Sequence, residues 1–437
     1  MSPTSRGPDP VESPIAEGGS IAYTRSPLEV VLAKGPFRAT LTMLGPAFVA
    51  AIAYVDPGNF ATNIQGGAKF GYLLLWVVLA ANLMAMLIQY LSAKLGIVTE
   101  SNLPELCREH FPRAVSVGLW LQAEVMAMST DIAEFLGAAL GLNLLFHVPL
   151  FPAGVITGFI AFGILELQRH GYRRFELAIV GLLGIIFLGF LYETLKIGPS
   201  AHASLRATFI PHLAGTQSLY LAVGIIGATV MPHAIYLHSA LTQGRMEVRN
   251  DTERSRVLRF ERLDVIVALG FAGLINLAML AVAAKLFHTP ALSGLSTIPQ
   301  AHEEFGRLVG GTAALAFAIA LLASGASSSS VGTYAGQVVM AGFIGLRIPL
   351  AVRRAVTMIP ALVVLAIGVS PTSALVLSQV VLSFGIPFAL VPLVLLTRRR
   401  DVMGSYVNKR LTTAAAIVIS GLISGLNVFL LVQQIAG

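Results

Sequence analysis

Apolar runs of about twenty residues recur along the whole chain, and they limit the folds that it can adopt. A helix of about twenty apolar residues crosses the hydrocarbon core of a bilayer, where only helices and closed barrels satisfy the backbone. We place eleven runs, near 43–66, 72–93, 115–143, 152–167, 175–194, 218–240, 262–286, 311–341, 354–370, 372–396 and 411–434. Charged residues form 12% of the 437 residues and mean hydropathy is +0.78. The sequence therefore predicts an all-α integral membrane protein with eleven transmembrane helices.

The basic residues are distributed unevenly between the two sides of these predicted spans. If the N-terminus is cytoplasmic, 24 of the 29 Lys and Arg residues lie in cytoplasmic segments. This bias follows the positive-inside rule and predicts a multi-pass protein with a cytoplasmic N-terminus and an outer C-terminus. Short loops without outer glycosylation sequons favour a bacterial inner membrane. Topology thus explains the net charge of +7, so we expect the lipid bilayer, and no nucleic acid, as a partner.

Composition also divides the chain and excludes some function classes. Residues 1–40 are polar and rich in Pro, Gly and Ser, which predicts a disordered cytoplasmic tail. Cys107 is the only cysteine, which excludes an intramolecular disulfide. The HExxH and GxSxG motifs are absent, and we do not expect an enzyme.

Two of the predicted spans are interrupted near their middles. Span one contains "DPGN" at 56–59, where Pro57 removes a backbone donor and disfavours a helical Asp56, while Gly58 adds freedom. Span six contains "GATVMPHA" with Pro232. Discontinuous helices at matching positions of two inverted halves indicate the central site of a transporter. The spacing predicts inverted five-span repeats at 41–200 and 201–396, with a loop and the eleventh span at 397–437.

The residues at the two breaks favour a cation. Asp56 supplies a charge, Asn59 a neutral oxygen, and the carbonyls of Ala53 and Ala228 end the preceding half-helices. A lone carboxylate at mid-membrane costs roughly 2.5–3.5 kcal/mol on insertion scales, which a cation or proton would offset. Met231 adds a soft thioether, which favours manganese or iron over sodium, magnesium or calcium. Taken alone, each break could be an ordinary proline kink, and Met231 could be a methionine that only packs.

Three motifs together resemble the Nramp family of divalent-metal transporters: "DPGN", "MPH" at 231–233 and "GQVVMAGFIGLRIP" at 336–349. The resemblance implies a LeuT-like fold of ten core helices in two inverted repeats plus one. It also implies proton-coupled uptake of Mn²⁺ or Fe²⁺ as substrate, with no resident cofactor and no obligatory protein partner. The family's metal ligands match Asp56, Asn59, Met231 and the carbonyls of Ala53 and Ala228, and Gln379 matches a position that joins the metal in one state.

Span three carries three acids on one helical face. Glu124, Asp131 and Glu134 are spaced by seven and three residues, and acids along one side of a membrane helix usually line a polar path. The resemblance places Glu134 beside the metal site and His233. We therefore expect Asp56 to receive a proton as well as metal, with Glu134 and His233 assisting and Asp131 carrying protons inward. A static ion-pair network is the alternative.

Two further pairs lie near the inner surface. Arg353 and Arg354 begin span nine and are expected either to pair with the span-three acids or to mark topology. Gly336 and Gln337 lie at the inner end of span eight, where small residues favour close helix packing, with gating as a consequence.

The function predicted first is therefore a metal–proton symporter that works by alternating access. The alternative is a sodium-coupled symporter of small organic solutes on the same fold, which would present small residues and backbone donors at the breaks in place of Asp, Asn and Met. A channel is less favoured, because two broken helices indicate alternating access.

Overall fold

The structure is a computed structural model. It describes residues 26–436 apart from 168–170, 293–294, 296 and 347, and describes no side chain at 350, 351, 354, 431 or 433–436. Every regular element in these residues is a helix. The α-helices are α1 (Pro27–Leu32), α2 (Pro36–Met43), α3 (Pro46–Ala51), α4 (Pro57–Phe70), α5 (Leu75–Thr99), α6 (Leu103–His110), α7 (Arg113–Phe146), α8 (Leu150–Glu166), α9 (Tyr172–Ile197), α10 (Ala201–Phe209), α11 (Gly215–Thr229), α12 (Pro232–Thr242), α13 (Asp251–Phe287), α14 (Ile298–Leu308), α15 (Gly311–Ile344), α16 (Leu350–Ile367), α17 (Pro371–Thr397), α18 (Arg400–Met403) and α19 (Arg410–Ala436).

Each of the eleven predicted spans coincides with one of these helices or with a consecutive pair. By length and composition alone, eight helical stretches of the described residues could cross a membrane, or nine if the bent pair Pro36–Met43 and Pro46–Val55 counts as one span. One of the eight, Pro57–Thr99, joins the second half of span one to span two. Two shorter apolar helices, Leu150–Glu166 and Ala355–Ile367, lie where spans four and nine are predicted. The all-α membrane fold is thus confirmed.

The helices differ in how far they are buried. The most apolar window of α11–α12 is 89% buried within the protein, whereas that of α19 is 22% buried. Span six therefore lies at the centre of the bundle. The eleventh span lies at the periphery, where its apolar side chains face lipid.

The structure differs from the expected disordered tail over residues 26–40. Ser26 and Glu29 form a capping box that starts α1, and α2 begins at Pro36. Leu28 and Val31 pack with Val257 and Leu258 of α13, so local capping and apolar contacts order this part of the chain. Residues 1–25 of the expected tail lie outside the described residues.

Small residues allow α7 and α15 to pack closely in the middle of the protein. A Cβ atom built on Gly325 of α15 would lie 2.5 Å from the backbone nitrogen of Ala138 on α7. One built on Gly141 of α7 would lie 2.8 Å from Cα of Leu322 on α15. Ser327, two residues after Gly325, is fully buried and donates to the Ala323 carbonyl of its own helix. Glycine on each helix therefore permits the close approach of α7 and α15.

Both predicted breaks are present. In span one, the α3 helix tightens into a 3₁₀ turn at Ile52–Val55, Asp56 is extended, and Pro57 begins α4. In span six, α11 ends at Thr229, Met231 is extended, and Pro232 begins α12. In each case a proline without a backbone N–H starts the second half-helix, where that donor is not needed.

We expect the Gly325→Ala substitution to destabilise the protein by about 1–3 kcal/mol, because the added methyl meets backbone and not a movable side chain. Gly118→Ala on α7 is the matched control, since a Cβ there has nothing within 4 Å. Thermal unfolding in detergent micelles measures both. Equal stability of the two variants would contradict the close approach of α7 and α15.

Candidate metal site

Asp56 lies at the centre of the first break and is fully buried. Its Oδ1 accepts hydrogen bonds from the backbone N–H of Asn59 at 2.9 Å and from Asn59 Nδ2 at 2.7 Å. The carboxylate thus caps the start of α4 and binds the side chain one turn further along. Its Oδ2 accepts a longer bond of 3.3 Å from Gln379 Nε2 on α17.

Asn59 joins the two broken spans. Its Nδ2 donates both to Asp56 Oδ1 and, at 2.9 Å, to the carbonyl of Ala228 near the end of α11. Its Oδ1 is buried and has no hydrogen-bond partner among the described residues. Two oxygens predicted to bind metal, Asp56 Oδ1 of span one and the Ala228 carbonyl oxygen of span six, therefore accept from the same amide nitrogen.

Gln379 is wedged between the two breaks. A Cβ built on Gly58 would lie 1.9 Å from Gln379 Nε2, and one built on Gly227 would lie 2.0 Å from the Gln379 carbonyl. The two glycines let α17 approach α4 and α11 closely. Gln379 Oε1, like Asn59 Oδ1, is a buried acceptor without a partner in the described part of the chain.

Met231 and Ala53 complete the predicted ligand set. Met231 is fully buried and lies three residues after Ala228, at the extended position that precedes α12. Ala53 is buried in the 3₁₀ turn, three residues before Asp56. The structure thus brings Asp56, Asn59, Ala228 and Gln379 into direct contact and places the other two in the adjoining backbone turns.

This donor set contains one carboxylate, two amides, carbonyls and a thioether. No group of three or more His, Cys, Asp or Glu side chains that could hold a metal occurs in the described residues. A site of the type predicted here depends instead on one carboxylate, several neutral oxygens and one sulfur. The two unpartnered amide oxygens fit a divalent ion, because each could turn a lone pair towards it.

Three polar side chains that the sequence analysis did not single out form hydrogen bonds with the backbone of span one before Asp56. The Tyr54 carbonyl accepts from Asn276 Nδ2 at 2.7 Å, and the Val55 carbonyl accepts from Ser324 Oγ at 2.6 Å. Asp264 Oδ2 accepts from Gly45 N–H at 3.0 Å and so caps the start of α3. For Asn276 and Asp264 the sequence did contain a signal, because each is a polar residue within an apolar span.

His233 lies on α12, two residues beyond Met231, and is 2% exposed. Its Nδ1 is 3.3 Å from Thr130 Oγ1 on α7, and its Nε2 has no hydrogen-bond partner among the described residues. Thr130 directly precedes Asp131, which is 2% exposed, and Glu134 is fully buried one turn further along. A Cβ on Gly332 of α15 would lie 2.7 Å from Glu134 Oε2, so this acid is packed between α7 and α15.

Arg353 pairs with Glu124 at the other end of the acidic face. Arg353 Nη2 lies 2.8 Å from Glu124 Oε2 and Nη1 lies 3.3 Å from Oε1, and the arginine side chain is 2% exposed. Gly336 makes room for it, since a Cβ there would lie 2.1 Å from Nη2. Gln337 is half-buried beside Gly336. The side chain of Arg354 lies outside the described residues.

A second buried network surrounds His238 on α12. His238 Nδ1 is 2.8 Å from Gln89 Oε1, and its Nε2 is 3.0 Å from Glu261 Oε1. Gln89 in turn donates to the hydroxyl of Tyr54, three residues before Pro57. The chain of contacts links α12, α5 and α13 to the first break.

Comparison with known proteins identifies the family. The family model "Natural resistance-associated macrophage protein-like", Nramp, matches residues 47–433. The chain belongs to the Nramp family. The resemblance seen in its three motifs is therefore confirmed over nearly the whole chain.

Two curated Nramp relatives match along most of their length. The chain is 54% identical over 397 residues to the divalent metal cation transporter MntH of Bacillus subtilis, covering 91% of this chain and 93% of the relative. It is 51% identical over 432 residues to MntH of Deinococcus radiodurans, covering 98% and 97%. Both relatives are named as transporters and not as enzymes.

Solved structures agree with the Nramp assignment. The manganese transporter of Eremococcus coleocola, in complex with an aromatic bis-isothiourea compound, has a TM-score of 0.84 at 33% identity, over 92% of this chain and 88% of that one. Mhp1, a nucleobase-cation-symport-1 transporter, has a TM-score of 0.58 at 16% identity, over 88% and 90%. The second likeness shows the fold alone. The predicted LeuT-like fold is confirmed.

We expect the Arg353–Glu124 pair to be energetically coupled, because Arg353 is nearly fully buried and loses its only ion pair in the described residues when Glu124 changes. A double-mutant cycle with Arg353→Gln and Glu124→Gln should give a coupling of about 1–3 kcal/mol in denaturant unfolding. The pair of Arg254 and Asp251, with atoms 3.5 Å apart and the aspartate 74% exposed, is the control and should show no measurable coupling. Strictly additive effects at the buried pair would contradict this expectation.

Proposed function

We propose that this Nramp protein imports divalent transition-metal ions, Mn²⁺ and Fe²⁺, together with protons by alternating access. The observation that carries the proposal is the contact of Asn59 with both Asp56 and the Ala228 carbonyl. Through it, two interrupted helices meet at one buried carboxylate. The named relatives transport divalent metal cations or manganese, which supports this assignment.

A cation at this point is favoured by the oxygens around it. The backbone carbonyls that end α11 and the 3₁₀ turn of span one have no following helical turn to donate to them. Asp56 adds a negative charge that is fully removed from water. In such surroundings a cation interacts with these oxygens far more strongly than it would in bulk water.

In the absence of metal, the amide groups of Asn59 and Gln379 occupy the Asp56 oxygens that a cation would contact. Asn59 Nδ2 and Gln379 Nε2 donate to the two carboxylate oxygens of Asp56, while their own oxygens lack partners among the described residues. A bound cation would replace both donors, and rotation of each amide would then present its oxygen to the ion. The same side chains thus satisfy Asp56 before the metal arrives and coordinate the metal afterwards.

Met231 supplies the selectivity for transition metals. A thioether binds weakly to the hard ions Ca²⁺ and Mg²⁺, and more favourably to borderline ions such as Mn²⁺ and Fe²⁺. For a hard ion such as Ca²⁺ or Mg²⁺, the thioether is a poor ligand. Binding of such an ion would therefore cost more free energy in lost hydration than coordination by the site returns.

Proton movement is assigned to groups that lead away from the metal. Asp56 receives a proton when no metal is bound. His233, Thr130 and Glu134 connect α12 to α7 beside the break, and Asp131 and the Glu124–Arg353 pair continue along α7. Acids in this arrangement offer a proton successive binding sites across the apolar membrane core, which it cannot cross without polar groups. A static ion-pair network remains the competing role for these acids.

Alternating access is required by the burial of the site. Asp56, Asn59, Met231 and Gln379 are each at most 1% exposed. An ion can therefore reach them only if helices move. The bias of the basic residues favours a cytoplasmic N-terminus in a bacterial inner membrane. Membership of the Nramp family supports uptake as the direction of transport.

A sodium-coupled symporter of organic solutes on the same fold is the second candidate, and the likeness to Mhp1 extends to the fold alone. The close contact of the Gln379 carbonyl with Gly227 leaves no space for a methyl group at that glycine, and the Gln379 amide fills the space beside Gly58. An organic solute would need a larger opening there, so the packing favours a bare ion.

We expect Met231→Ala to reduce discrimination of Mn²⁺ against Ca²⁺ by roughly tenfold or more, because only the soft ligand is lost. Competition of Ca²⁺ with radioactive Mn²⁺ uptake in proteoliposomes measures this. Met403→Ala is the control, since Met403 is equally buried but lies on α18, outside both broken spans. Unchanged selectivity in Met231→Ala with active transport would sink the soft-ligand argument. Loss of selectivity in both variants would do the same.

We expect Glu134→Gln to lower proton flux several-fold while Mn²⁺ binding changes by no more than about twofold, because the amide keeps the shape but cannot carry a proton. A pH dye inside the proteoliposomes reports the flux. Glu193→Gln is the control, a buried acid on α9 outside the proposed route. Normal proton flux in folded Glu134→Gln would refute a relay through this acid.

A further inference from the structure

A basic pocket of about 380 Å³ lies between the ends of α5, α13 and α19, on the side predicted to be cytoplasmic. Four of its twelve lining residues are cationic and none is acidic. The cations are Lys94, Arg259, Arg262 and Lys409. Its volume is in the range typical of small-ligand sites, about 300–1,000 Å³. It shares no lining residue with the metal site.

Two of the cations are held in place by neighbouring side chains. Lys94, which is 8% exposed, donates from Nζ to Asn408 Oδ1 at 2.9 Å. Asn408 is itself fixed by its Nδ2 bond of 2.8 Å to Thr397 Oγ1. Arg262 donates to the Tyr90 hydroxyl at 3.1 Å, and its guanidinium carbon lies 4.9 Å from the centre of that ring. The pocket is therefore built from ordered groups and not only from mobile surface chains.

The positive charge of this pocket has no protein counter-charge. Among the described residues, none of the four cations forms an ion pair with a carboxylate. Three acids on the adjoining segments are engaged by other residues, Asp251 with Arg254 at 3.5 Å, Asp401 with Arg399, and Glu261 with His238. Several like charges facing one cavity repel each other unless an anion binds between them.

The groups around the pocket indicate the kind of anion. Guanidinium and ammonium groups together with Tyr, Ser and Thr hydroxyls suit a phosphate group, which accepts several hydrogen bonds at once. Large apolar side chains lie next to pocket residues along α13 and α19. Leu263, next to Arg262, is 41% exposed, and Leu411, two residues after Lys409, is 83% exposed. A ligand with a phosphate group and adjoining hydrocarbon chains matches both surfaces.

We propose that this pocket binds the phosphate group of an anionic phospholipid from the surrounding bilayer. The acyl chains would lie along Leu263 and Leu411, while Arg259, Arg262, Lys94 and Lys409 surround the phosphate. The lipid would join the peripheral α19 to α5 and α13. The proposal concerns a site separate from metal transport and does not depend on the transported ion.

The test uses the full chain purified in detergent and titrated with phosphatidylglycerol, with bound lipid counted by native mass spectrometry. We expect wild-type protein to retain phosphatidylglycerol in preference to phosphatidylcholine. Arg259→Gln combined with Arg262→Gln should weaken that binding by roughly tenfold or more, since each cation near an anionic lipid contributes on the order of a fivefold change. Lys409→Gln changes one exposed side chain and gives a second reading if the double variant does not fold.

The control removes the same amount of charge elsewhere on the predicted cytoplasmic side. Lys34 and Arg113 are exposed and lie outside the pocket, so Lys34→Gln combined with Arg113→Gln should leave lipid retention within about twofold of wild type. Equal loss in this control would mean that general surface charge holds the lipid, and would overturn the proposal. Unchanged lipid binding in the pocket variants would overturn it as well.

A competition arm separates a lipid from a soluble phosphate compound. Inorganic phosphate at millimolar concentration should displace little phosphatidylglycerol, because it gains nothing from the apolar flank. Complete displacement by inorganic phosphate, with an equal gain in thermal stability, would assign the site to a soluble ligand and contradict the lipid proposal.

Discussion

The burial of one carboxylate, Asp56, is the constraint on which the rest of the site depends. A charge that is fully removed from water must be paired or hydrogen-bonded. Here the neighbouring groups are neutral. Asn59 and Gln379 donate to its two oxygens, and Asn59 also reaches the Ala228 carbonyl of the other broken span. A site arranged in this way is hydrogen-bonded without metal and still leaves a carboxyl group that can take either a proton or a cation.

The surrounding helices keep this arrangement in place. Asn276 and Ser324 occupy the carbonyls of Tyr54 and Val55, so the irregular backbone before Asp56 remains hydrogen-bonded. Non-helical backbone at membrane depth is tolerated only where it is satisfied by protein or lines a cavity. Glycines at 58 and 227 bring α17 against both breaks. Access to the site therefore requires these helices to separate, which is the physical basis for the alternating-access proposal.

Much of this structure could be predicted from local sequence, because hydrophobic length and proline chemistry act locally. The positions of the eleven spans follow from apolar runs, and the breaks follow from Pro57 and Pro232. The family could be recognised because "DPGN" and "MPH" each carry several site residues in a short stretch. The order in residues 26–40 was missed, since it depends on the packing of Leu28 and Val31 against α13, more than two hundred residues away.

Long-range polar contacts were also beyond sequence reasoning. Nothing in the spacing of Gln89, His238 and Glu261 indicates that they meet, because their helices are brought together only by the fold. Similarly, Gly336 was interpreted as a helix-packing residue, whereas in the structure it makes room for the Arg353 guanidinium. The assignments of metal ligands and proton carriers remain proposals that rest on this geometry.

The most direct test of the central claim is X-ray absorption at the manganese edge of the Mn²⁺-loaded protein. The account predicts one sulfur scatterer together with a shell of oxygens in the wild type, and loss of only the sulfur in Met231→Ala. A shell made of oxygen alone in the wild-type protein, with Mn²⁺ bound at one equivalent, would contradict the claim that Met231 and Asp56 hold the same ion.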